Sequence, residues 1–153
     1  MKIERVTKAS FTVIGKEGST REGEGFIGRL WQKANEFFGE IAHLAKVDEN
    51  GVPIGVWGAM SDFSRSFQPW EENFSQGLYL AGAECYDGAQ APEGWTKWVI
   101  PGYEYLAASG EKNLFAQMLA YLKQQKLSLV GAMHDFTNPK TGENYMYFPI
   151  RKL

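Results

Sequence analysis

The chain has 153 residues, enough to bury about 70% of the surface its unfolded form would expose, so it can hold a core without staples. A formal charge of −2 argues against a phosphate-backbone partner, and the single cysteine, Cys85, rules out an internal disulfide. No apolar run reaches membrane-spanning length and nothing at the start reads as a leader or a DNA-binding segment, so the expectation is a stand-alone cytoplasmic protein. Residues 2–20 read as a first strand, with Phe11, Val13 and Ile14 running into the turn Gly15-Lys16-Glu17-Gly18. From residue 26 to 45 the apolar side chains Ile27, Leu30, Trp31, Ala34, Phe37, Phe38, Ile41 and Leu44 fall at helical spacing, and His43 lies off that stripe.

A turn at residues 48–51 leads into a strand over 52–61, where Trp57 stands between Gly55 and Gly58. Glycine in a strand marks either a bulge or a close approach by another group. Residues 62–77 form a long connection rich in rings (Phe63, Phe67, Trp70, Phe74), read as a flap over the core or a lid over a pocket. Two strands at 78–86 and 95–108 follow as a central pair, with a Gly/Pro connection between them. Ser109 then caps a helix carrying Phe115, Met118, Leu119 and Leu122, and strands at 127–136 and 145–150 close the chain as a hairpin.

The order strand, helix, strand, strand occurs twice. It predicts one α+β domain over 1–153: a pseudo-twofold, a curved antiparallel sheet with both helices on one side, and a ligand groove at the seam on the other. Alternation puts Glu84 on a strand face with Leu80, Gly82 and Tyr86, opposite the small face of Ala81, Ala83 and Cys85. A carboxylate sheltered among rings suits a flat, positively charged ligand; the alternative is an exposed strand-end carboxylate, or one paired with Lys97. The five tryptophans serve either a ring-rich core or a ring-lined cavity.

The chain resembles GyrI-like (gyrase-inhibitory-protein-like) small-molecule-binding domains, also found as effector-binding halves of AraC-type and MerR-type multidrug regulators. The resemblance rests on residues 11–15 (Phe-Thr-Val-Ile-Gly), 27–31 in the first helix and 79–84 (Tyr-Leu-Ala-Gly-Ala-Glu). It continues through 98–103 (Trp-Val-Ile-Pro-Gly-Tyr), His134-Asp135-Phe136 and Phe148-Pro149-Ile150. It implies a binder of bulky, hydrophobic, planar and often cationic molecules. Many relatives place a Glu after the Asp-Phe pair where this chain has Thr137, which weakens the expected preference for cations.

On this reading Glu84 neutralises the ligand, and rings from Trp57, Trp98 and Tyr103 stack on it. Met60, Tyr79, Trp95, Tyr105, Phe136 and Tyr147 complete the expected lining. The resemblance also implies an alternative, a hydrolase that opens the cyclopropane of spirocyclopropyl toxins, with Glu84 as general base and the Tyr103 hydroxyl assisting. A third reading is a gyrase-inhibitor-type module docking on a protein partner through Glu71-Glu72. Two histidines, one cysteine and no ligand-spaced cluster give no basis for a metal, a cofactor or Ser/His/Asp chemistry, and His134 reads as structural.

Overall fold

The computed structural model describes residues 1–110 and 112–153. Half-buried Ile3 and Val6 are set among exposed Lys2, Glu4, Arg5 and Thr7 in Lys2–Lys8 (β1), an edge strand whose charges discourage further pairing. Ala9 and Ser10 break the chain before the mostly buried Phe11–Ser19 (β2), so the single strand expected over 2–20 is two. Phe26–Glu36 (α1) buries Phe26, Leu30 and Ala34 on one stripe. The predicted helix continues to 45, but the chain leaves helical geometry at Phe37 and makes two tight turns, Phe38–Glu40 and Ala42–Leu44. Gly39 weakens helix there, and the backbone is drawn out to pair with the end of the central strand, where the Lys46 amide donates to the Glu84 carbonyl at 2.9 Å.

Val56–Ser61 (β3) is followed by the ring-rich connection, which contains one short turn, Glu71–Phe74 (α2). Then come Leu78–Cys85 (β4), Thr96–Ile100 (β5), Tyr103–Ser109 (β6), Leu114–Gln124 (α3), His134–Thr137 (β7) and Asn144–Lys152 (β8). Pro101-Gly102 divides the long strand expected at 95–108, and the strand expected over 127–136 is regular only from His134.

All strands pair antiparallel in the order β1-β6-β8-β7-β3-β4-β2-β5. That order is a palindrome about the β7/β3 seam: β2-α1-β3-β4 on one side mirrors β6-α3-β7-β8 on the other, and each half is padded by an edge strand from the other half. The duplicated plan is therefore present. The expected central pair is not, because β2 lies between β4 and β5 while β6 joins the opposite half.

Both long helices cover one face, α1 over Tyr79 and Ala81 and α3 over Leu106, Ala108 and Phe148. The other face curls inward. Its two ends meet where Gly102 packs on Ala9 and Ser10, and its rings fill the interior. Gly15 and Gly82 face each other across β2 and β4, where a Cβ on either would sit within 2.3 Å of the opposite backbone.

Candidate functional site

Glu84 is buried, with 3% of its surface exposed, as a sheltered carboxylate should be. Its charge is already answered. Trp57 Nε1 donates to it at 3.2 Å, Lys8 Nζ stands 3.1 Å away and Lys46 Nζ 3.4 Å away. Lys97 is not its partner. The Lys8 ammonium also lies 4.5 Å above the Phe11 ring centroid, so the positive charge that the ring faces attract is the protein's own.

The rings beside Glu84 pack on each other. Trp57 lies 4.7 Å from Phe136, 5.0 Å from Tyr147 and 4.9 Å from Phe11, centroid to centroid, and Tyr105 lies 5.2 Å from Tyr147 and 5.7 Å from Tyr103. Trp98 meets Phe67 edge to face at 5.9 Å and donates its indole N–H to Glu17 at 2.8 Å. The face expected to carry a groove is thus closed by the protein's own side chains, because the curl brings inward-facing rings into contact. His134 joins this layer: burial pushes its pKa down to about 3, and its neutral Nδ1 accepts from the Met60 amide at 3.1 Å.

Of the other expected residues, Trp95 sits on the helix side in a separate cluster with Ile41, where its indole N–H donates to Glu40 at 2.8 Å. Tyr79 and Met60 also face the helices, and they border open space. Between α1 and α3, over the β7/β3 seam, lies a cleft of about 350 Å³. Its walls include Trp31 of α1, Gly58 and Tyr79 of the sheet floor, Asp135 and Thr137 of β7, Met146 of β8 and Leu114 of α3.

A chain of hydrogen bonds runs across this floor. The Trp31 indole N–H donates to the Tyr79 hydroxyl at 3.1 Å, which donates to Asp135 Oδ2 at 3.3 Å. Burial raises the Asp135 carboxyl above the usual carboxylate range, and the Tyr79 hydrogen bond offsets part of that rise. Burial likewise raises the Tyr79 phenol, with the Asp135 charge adding to it, so the phenol stays a donor. Gly58 makes the arrangement possible: a Cβ there would lie 1.8 Å from the Tyr79 oxygen. Among the described residues no lysine or arginine forms an ion pair with Asp135.

Sequence reasoning did not select Asp135 or Trp31. The signal for Asp135 was present: alternation sets it with Met133 and Thr137 on the face opposite His134 and Phe136, a carboxylate among apolar neighbours on the helix side. Trp31 follows Ile27 by one helical turn and reads as core until the second helix is placed beside it.

A second, smaller pocket of about 180 Å³ adjoins the cleft, lined by Met60, Trp70, Phe74, Phe115, Met133 and Met146. The ring-rich connection supplies its outer wall. Trp70 is fixed there by a 2.9 Å bond from its indole N–H to the Leu78 carbonyl, and Phe74 reaches the Phe115 ring on α3 at 5.3 Å. Glu72, Asn73 and Phe74 all take positive φ, between 51° and 65°, a left-handed turn costly for residues with side chains.

No family model matches the chain, and no curated protein matches it in sequence. Solved structures do match in shape. One, SAV2435 bound to tetraphenylphosphonium, has a TM-score of 0.67 at 13% identity, over 99% of this chain and 94% of that one. A Staphylococcus aureus MU50 protein assigned to bacterial transcription regulation has a TM-score of 0.62 at 13% identity, over 99% of both chains. The chain has the GyrI-like fold. EcmrR, solved as an EcmrR-DNA complex, matches at a TM-score of 0.61 and 12% identity, over 99% of this chain and 58% of that one. The GyrI-like fold therefore accounts for the two mirrored halves and for the helix pair that flanks the cleft.

Proposed function

We propose that residues 1–153 act as one effector-binding unit, a cytoplasmic binder of bulky, hydrophobic, planar cations held in the cleft between α1 and α3. The observation that carries this reading is a half-buried carboxylate, Asp135, that borders open volume, is held by one phenol and has no described cationic partner. Such a group favours a ligand that brings the missing positive charge, while Trp31 offers ring surface beside it. Tetraphenylphosphonium, bound to a protein of the same fold, is bulky, hydrophobic and cationic and supports those three properties of the ligand; it is tetrahedral and does not bear on planarity. The acidic balance of the chain supports a small molecule over nucleic acid. No helix among the described residues is long and apolar enough to cross a membrane.

The hydrolase reading through Glu84 has weaker support, since its carboxylate already accepts from Trp57, Lys8 and Lys46. A protein-docking role for Glu71-Glu72 is likewise weaker, because the Glu71 carboxylate is engaged by the Phe63 amide at 3.0 Å within its own loop. The test is titration calorimetry with tetraphenylphosphonium. The wild-type chain is expected to bind it and Asp135→Asn to bind it at least tenfold more weakly, with Glu84→Gln close to wild type. Equal affinity in all three would overturn the assignment of the site.

A further inference from the structure

The cleft and the smaller pocket beside it share a wall. Met146 lines both, and Gly58 and Met60, two residues apart on the same face of β3, line one each. The two spaces differ in chemistry. The cleft holds Asp135 and the Tyr79 hydroxyl, whereas the pocket is walled by three methionines and three rings. The pocket, at about 180 Å³, has room for a short alkyl chain. Methionine side chains are unbranched and adapt to irregular apolar shapes.

We propose that the ligand of this protein is amphipathic: a cationic head faces Asp135, and an apolar arm passes Met146 into the methionine-lined pocket beneath Trp70 and Phe74. This rests on the reading of the cleft given above and adds a selectivity to it. The head meets Asp135 and the walls of the cleft, while an alkyl arm that reaches beyond the head is buried as well. The ring-rich connection thereby acquires a function, since Trp70, anchored on Leu78, and Phe74, set against Phe115, form the roof over the arm.

A series of alkyltriphenylphosphonium ions, from methyl to decyl, tests this by calorimetry on the full chain. In the wild type, affinity is expected to rise by up to about fourfold per buried methylene and then level once the pocket is full. Phe115→Trp, which fills the pocket, should flatten the rise and leave the methyl compound within twofold of wild type. Phe74→Ala, which enlarges it, should move the levelling point to longer chains. A flat wild-type series with tight binding of the methyl compound would overturn the extension and leave Asp135 as the cation site. A rise that is the same in wild type and Phe115→Trp would show non-specific adsorption and also overturn it. Absence of binding by every member would overturn both this inference and the reading of the cleft.

Discussion

Glu84 and Asp135 lie on opposite faces of one sheet, both beside aromatic rings, yet they are in opposite electrostatic positions. Glu84 has two lysines and an indole within 3.4 Å and rings packed against it. Asp135 has one phenol and a cleft of about 350 Å³. Burial of a charge does not by itself make a site. What matters is whether the fold supplies the counter-charge and whether space is left for something else to supply it.

Of the two carboxylates, Glu84 is the one on which stability depends more. Replacing it with Gln strands Lys8 and Lys46 beside an apolar layer. Removal of one partner from a fully buried pair costs about 3 to 5 kcal/mol; the lysine side chains here are 25% and 28% exposed, which lowers the expectation to about 2 to 3 kcal/mol. Urea unfolding measures this, and affinity for a cation should hardly change. Asp135→Asn should do the reverse, leaving the unfolding midpoint within experimental spread or slightly raised while cation affinity falls about ten- to hundredfold, about 1.4 to 2.8 kcal/mol.

Tyr79→Phe sharpens the contrast on the cleft side. It removes the donor to Asp135 and the acceptor of the Trp31 indole, so stability should fall by about 1 kcal/mol, and the carboxyl should titrate at a higher pH than in the wild type. The smallest effect is in pH dependence. The folded Asp135 carboxyl is raised, so its contribution to stability is fully present below the unfolded value and is lost as pH rises through the folded one. Cation affinity runs the other way, weak while the group is protonated and strengthening as pH rises through the same folded value. Denaturation and ligand titrations across the acid range should show the two trends crossing, and Asp135→Asn should abolish both.

The duplicated strand, helix, strand, strand plan was legible because each half carries its own apolar periodicity, and Phe26, Leu30 and Ala34 mark a helix face whatever lies beneath it. The strand neighbours were less legible. Pro101-Gly102 sends the chain from one end of the sheet to the other, a long-range outcome that local pattern does not encode. Glu84 is buried among rings, one of the two placements its strand position allowed. Its partners Lys8 and Lys46 lie 76 and 38 residues away in sequence and reach it only once the sheet has curled. The open volume beside Asp135 was hidden for the same reason: it exists only between two helices from different halves of the chain.

The most direct measurement is the carbon-13 titration of the Asp135 carboxyl, assigned by its loss in Asp135→Asn, with and without tetraphenylphosphonium. A cation seated against this carboxylate stabilises its ionised form, so binding should move the transition to lower pH, with a proton released in the acid range. An unchanged Asp135 transition under saturating ligand would contradict the account, and a shift at Glu84 in its place would move the site to the other face of the sheet.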